Sequence, residues 1–209
     1  MKKLKTNTQT KQRLVTLLIL VLIMVILSCI SNKYLTVNNL INIVRQESTL
    51  IIIACAATML MISGGMDLSP AGVIALTSVD FAKLCVAGIS IPLAALLSLL
   101  VGVAAGTFSG LLVVLANVPP MIATLGTWYI TKGLAYAISN SYAIVQGLPA
   151  NFGWVNRYVG PFPLMLLIAL VVFVVFYVML NRTLLGKYAY AIGGNSETAR
   201  LSGIKVNLV

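Results

Sequence analysis

The chain has 209 residues, 60% hydrophobic and 9% charged, with a formal net charge of +10 and a mean hydropathy of +1.03. A water-soluble domain carries about 25% charged residues, so this surface must be solvated largely by lipid. The positive charge does not form a nucleic-acid patch. Lys2, Lys3, Lys5, Lys11 and Arg13 precede the first apolar run, and Arg182, Lys187, Arg200 and Lys205 follow the last. Basic residues that bracket apolar segments mark the cytoplasmic side of a membrane protein.

In chain order, residues 1–13 read as a basic cytoplasmic N-terminus and 14–30 as a first crossing, just long enough to span a bilayer. The basic start followed by an apolar run also fits a signal peptide, and "ILSC" (26–29) resembles a lipoprotein processing box. One apolar segment after another follows instead of a soluble body, so the run is read as an uncleaved helix. Next, Val37, Leu40, Ile41 and Val44 recur at helical spacing opposite Asn38, Asn42 and Arg45. That pattern predicts an interfacial helix leading into the bilayer. The second crossing is expected over 48–66, ending in "SGGMDLSP".

A third crossing over 69–87 is short and interrupted by Asp80 and Lys83, and a turn near Gly88–Pro92 separates it from a fourth over 92–116. A fifth runs over 121–138 and a sixth over 164–180. With both basic clusters on one side, the number of crossings must be even; six satisfies this, and a re-entrant third segment does not. The fold class is therefore all-α, a polytopic transmembrane helix bundle of about six spans over 14–180 with both termini cytoplasmic. The loop 139–160 lies outside, with Tyr142, Trp154 and Tyr158 as aromatic anchors at the headgroups.

Several motifs lie on this frame. Gly102, Gly106 and Gly110, four apart, permit close helix packing, which in lipid depends on van der Waals contact. The Gly64–Gly65 break brings Asp67 into view, either as a solvated turn or as a substrate site of the kind that broken helices form. Thr124, Thr127 and Thr131 form a stripe with Lys132 beside it. Such hydroxyls either hydrogen-bond a passing polyol or return to backbone and neighbouring helices. Asp80 and Lys83, three apart on one helix face, are intramembrane ionisable candidates or a snorkelling pair.

There is no histidine, and Cys29, Cys55 and Cys85 lie far apart in apolar runs, so they read as small hydrophobes. No phosphate-binding loop, HExxH or nucleophile elbow is present, so no catalytic residue, metal site or cofactor is expected. In the closing polar segment, Asn195 or Ser196 is a candidate N-cap, Glu197 suits the first turn and Arg200 the last, and Gly203 suits a left-handed stop. A short, well-capped helix of this kind suits docking into another protein's groove.

At this point "YLTVNNLINIVRQ" (34–46), "GGMDLSPAG" (64–72), "NVPPMIATLGTWYITKGLA" (117–135), "QGLP" (146–149) and "GKYAYAIGGNSETARLSGIKV" (186–206) resemble the membrane permeases of bacterial ATP-binding-cassette (ABC) importers for ribose and other simple sugars. The resemblance covers nearly the whole chain from Tyr34. It implies a channel-forming subunit in the inner membrane, paired with a second permease copy. A periplasmic or surface sugar-binding protein would supply sugar, and a cytoplasmic ABC ATPase would supply power. By the same resemblance 181–209 is the cytoplasmic coupling loop, with Gly194, Asn195, Glu197, Ala199, Arg200 and Gly203 in the ATPase contact. Asp67, Thr124, Thr127, Thr131 and Lys132 are then substrate-pathway candidates. Relatives in this family continue with further membrane helices, so a C-terminal truncation is expected. Two other classes stay open: an ion- or proton-coupled secondary transporter using Asp80, Lys83 and Lys132, and a non-transporting fragment that assembles with a complete permease.

Overall fold

A computed structural model describes residues 2–206, with side chains from Thr10 onward. The side chains of Lys2, Lys3 and Lys5 and the last three positions of the closing segment lie outside the described residues. Neither Gly nor Pro occurs before Gly64, so little interrupts helix propagation in this part of the chain. Helix α1 accordingly runs over Lys2–Ile30, continuing back through the basic segment that the sequence set apart from the first crossing. Helix α2 spans Val37–Ile62, merging the expected interfacial helix and second crossing into one.

Two compact units emerge, Met1–Glu47 and Ser48–Val209. In the first, α1 leads through turns into the start of α2. There Thr36 acts as N-cap, its Oγ1 accepting from the Asn39 N–H at 3.4 Å, and Asn39 Nδ2 donates to the Tyr34 carbonyl at 2.7 Å. The first bond occupies an N–H that a helix start otherwise leaves open, and the second ties the first turn to the preceding loop.

The second unit holds the remainder of α2, then α3 (Pro70–Val86), α4 (Ile91–Val114), α5 (Pro120–Ser139), a two-stranded hairpin of β1 (Tyr158–Val159) and β2 (Phe162–Pro163), α6 (Leu164–Arg182), α7 (Leu184–Gly194) and α8 (Ser196–Leu201). Helices α3, α4 and α5 each carry proline in the first turn, where its missing N–H breaks no helical bond. Helix α5 stops at Asn140 in the left-handed region.

Its centre is the α3–α5 pair, the most extensive helix contact in the chain, with α4 packed on both. Gly72 allows the approach: a Cβ there would overlap the Trp128 carbonyl oxygen and crowd the Thr131 hydroxyl. A smaller core of Cys85, Ile91 and Ala94 sits at the α3–α4 turn beneath Phe81 and Phe152, whose rings stack 5.2 Å apart. Most buried apolar positions elsewhere are small, including Ala82, Ala123, Ala135, Ala169 and Ala189, as close packing in lipid favours. Large apolar side chains face outward along α1, α4 and α6. In water such a surface would aggregate; in a bilayer it is the solvated face.

The molecule is thus a helical membrane bundle. Among the described residues four helices are long and apolar enough to cross a bilayer: Thr10–Ile30, Val37–Ile62, Ile91–Val114 and Leu164–Arg182. The two others counted as crossings from the sequence differ in kind. Helix α3 has 17 residues, about 26 Å of rise, and α5 carries three threonines and Lys132. They pack on one another, burying polar surface that would otherwise face hydrocarbon.

Candidate functional site

Helix α2 ends where the sequence places its break. Ser63 returns its hydroxyl to the Leu60 carbonyl at 2.7 Å, and Gly64 adopts φ +86°, a conformation favouring glycine. Ser69 is itself helical and caps nothing with its side chain. Instead Asp67 Oδ1 accepts the Ser69 N–H at 2.7 Å, an Asx-type turn that leads the chain into Pro70. The carboxylate of this exposed residue is thereby held at the break.

A cavity of about 530 Å³ opens beside this break, within the ~300–1,000 Å³ range of small-molecule sites. Ser63, Gly65 and Asp67 contribute from the break, Gly106, Thr107, Ser109 and Gly110 from α4, and Pro120 and Thr124 from the start of α5. Such a wall, apolar with a few convergent polar groups, is what an orienting site for a polar solute requires. Ser109 is 5% exposed, and its Oγ has no hydrogen-bond partner among the described residues, a costly state for a buried hydroxyl.

The threonine stripe divides. Thr124 lines the cavity, with its hydroxyl 3.4 Å from the Met121 carbonyl. Thr127, 1% exposed, and Thr131 are buried, and their hydroxyls donate to the Ala123 and Thr127 carbonyls at 2.9 and 2.7 Å. Thr131 belongs to the α3 contact at Gly72. Lys132 reaches neither: its Nζ lies 5.8 Å from the Trp128 ring centre and 5.9 Å from that of Tyr136, both on its own helix.

The glycine stripe divides as well. At Gly102 a Cβ would sit 3.4 Å from Thr77 Cγ2 and 3.7 Å from Val73 Cγ1 on α3. Gly106 and Gly110 line the cavity, and a Cβ on either would meet nothing within 4 Å. Asp80 Oδ2 accepts from Ser98 Oγ at 2.8 Å, tying α3 to α4, whereas Lys83 is exposed.

The closing segment is a capped helix at both ends. Asn195 is the N-cap, its Oδ1 accepting the Thr198 N–H at 2.9 Å. Glu197 lies in the first turn and Arg200 in the last, each favourable to the helix dipole. The C-terminus forms a Schellman motif. The Ile204 N–H reaches the Ala199 carbonyl at 3.1 Å, the Gly203 N–H reaches that of Arg200 at 3.0 Å, and Gly203 adopts φ +85°. Ala199 is buried, while Gly194, Asn195, Glu197, Arg200 and Gly203 are exposed. The sequence reads 181–209 as a loop and marks no helix ahead of α8, whereas α7 occupies Leu184–Gly194 and carries α8. Its Gly186 packs against the Leu180 carbonyl and its Gly193 against the Ile62 carbonyl, each so closely that a Cβ would overlap the oxygen. The "GG" before Asn195 was the available signal, but only the fold supplies the neighbours.

Comparison with known proteins agrees with this architecture. A family model described as "Branched-chain amino acid transport system / permease component" matches residues 39–209. The chain is 34% identical over 199 residues to the ribose import permease protein RbsC of Escherichia coli K12, covering 93% of this chain and 62% of that protein. It is 35% identical to the D-allose transport system permease protein AlsC of the same strain, covering 91% and 59%. It is 32% identical to the fructose import permease protein FruG of Bifidobacterium longum, covering 98% and 63%. The chain spans about three-fifths of the length of these curated relatives. No solved structure matches. With the family model covering most of the chain, this multi-pass helical membrane protein belongs to the family of branched-chain amino acid transport system permease components.

Proposed function

We propose that this chain is the permease subunit of an ABC importer, passing ribose or a similar simple sugar across the bacterial inner membrane. The observation that carries the reading is its similarity, along nearly the whole chain, to import permeases for ribose, allose and fructose. Two structural features support it. The cavity at the α2 break, apolar with a few convergent polar groups, is in the size range of small-molecule sites, and α8 is a short exposed helix capped at both ends. The chain itself performs no hydrolysis; a cytoplasmic ABC ATPase docks on 194–203, a binding protein delivers sugar, and a second permease copy completes the channel.

The mechanism is alternating access. Binding of ATP to the partner draws the docked α8 segments together, and the bundle rearranges so that the cavity opens to the other side. A partner can shift such an equilibrium only through contacts that differ between the two states. Residues 194–203 supply that contact, while Asp67 and Thr124 offer oxygen atoms to a sugar passing the break.

The test is retention of the detergent-purified chain on an ABC ATPase from the same organism, alongside variants lacking 195–203 or carrying Gly203→Val. The expected result is retention by the wild type and its loss in both variants. A folded wild-type chain that is not retained overturns the reading.

A further inference from the structure

We propose that α7 is a lever. Its Gly193 end bears directly on the α2 break and delivers movement of α8 to the cavity wall. This inference rests on the reading of 194–203 as the docking segment. Gly193 meets the Ile62 carbonyl so closely that a Cβ would overlap its oxygen and lie 3.4 Å from the Ser63 carbonyl carbon. From the other side, a Cβ on Gly64 would lie 3.9 Å from Gly193 Cα. Backbone therefore rests on backbone, with no flexible side chain between to absorb a displacement, and packed contacts of this kind transmit strain.

The load path is short in both directions. Ser63, Gly65 and Asp67, immediately beyond the contact, line the cavity. On the other side a single residue separates α7 from α8, and it is bonded both ways: the Asn195 N–H to the Ala191 carbonyl at 3.1 Å, and the Ala199 N–H to the Asn195 carbonyl at 3.0 Å. The fulcrum is Gly186, where α7 abuts the Leu180 carbonyl at the end of α6. Gly186, Ala189 and Gly193 are spaced i, i+3, i+7, so they share one helix face, and about 10 Å of rigid helix separates fulcrum from load. Tilting α7 about Leu180 moves its Gly193 end against the residues that shape the cavity.

The experiment uses the full chain with Cys29, Cys55 and Cys85 changed to Ser and spin labels on Met66→Cys and Leu111→Cys, two positions on the cavity wall. The distance between labels is measured with and without the ATPase and a non-hydrolysable ATP analogue. The expected outcome is a shift in the parent chain that persists in Gly133→Ala on α5, where a Cβ meets nothing within 4 Å. In Gly193→Ala the ATPase stays bound and most of the shift is lost. Gly64→Ala runs in parallel, because its Cβ makes only ordinary contact and strains the break instead of blocking it. It should also diminish the shift, and it decides the matter alone if Gly193→Ala does not fold. Full shifts in the folded Gly193→Ala and Gly64→Ala chains overturn the lever, as does a parent chain that binds the ATPase without any shift. A parent chain that fails to bind the ATPase overturns the docking reading beneath it.

Discussion

Replacement of Gly203 isolates one physical cost. The residue has φ +85°, and a Cβ built on it meets nothing within 4 Å. Any substitution therefore acts through backbone conformation and not through a clash. An L-residue in the left-handed region costs roughly 1–2 kcal/mol, and asparagine tolerates it better than others. Gly203→Ala should weaken the Schellman motif by about 1 kcal/mol and Gly203→Val by nearer 2, because β-branching stiffens the side chain further. A six-residue helix has almost no stability of its own, so most of that cost should appear as lost docking. By the tenfold-per-1.4 kcal/mol relation, affinity for the ATPase falls about fivefold for Ala and up to about thirtyfold for Val. Gly203→Asn should lose least. The assay is a binding titration of the detergent-solubilised chain on immobilised ATPase, with thermal unfolding followed in parallel. An affinity loss that tracks side-chain volume, placing Asn below Ala, would refute the conformational argument. So would wild-type binding by a folded Gly203→Val chain.

The N-terminal cap gives a matching test: Asn195→Ala removes the bond to the Thr198 N–H. It should cost about 1 kcal/mol of docking in the same titration, while Asn195→Asp stays near wild type. At the α3–α5 contact, Gly72→Ala forces atoms into the Trp128 backbone and should lower stability by about 1–3 kcal/mol, read as a reduced melting temperature in detergent. Gly106→Ala faces open space on α4 and should leave that temperature unchanged or slightly higher, since alanine is the better helix former. Equal losses at the two positions would contradict the packing described. Ser98→Ala removes the hydrogen bond to Asp80 and should cost about 1 kcal/mol, a typical figure for a polar tie between membrane helices. Asp80→Asn, which keeps an acceptor oxygen, should cost less; the reverse order would mean that the Asp80 charge is used elsewhere.

What could be read in advance was whatever local chemistry decides. The α8 caps were legible because Asn, Glu, Arg and Gly each act within one turn of their own position. The membrane class followed from composition, and the break after α2 from two adjacent glycines and a proline. Residues 34–62 were harder: the polarity change near Glu47 resembles a boundary, yet with no Gly or Pro in the stretch the helix runs through it.

What tertiary structure decided was direction and neighbourhood. The threonines of α5 were visible as a stripe, but periodicity does not say what the stripe faces. It faces α3 at Thr131 and the cavity at Thr124. Gly102 and Gly106 are alike in sequence, and only the position of α3 makes one a packing contact and the other a cavity wall. Gly186 and Gly193 gain their meaning from the carbonyls of Leu180 and Ile62, six and 131 residues away. Composition and caps, being local, determined that this is a lipid-solvated helical chain with a short capped helix at 196–201. The contact of α7 with the α2 break joins backbone segments far apart in sequence, and such contacts exist only once the chain has packed.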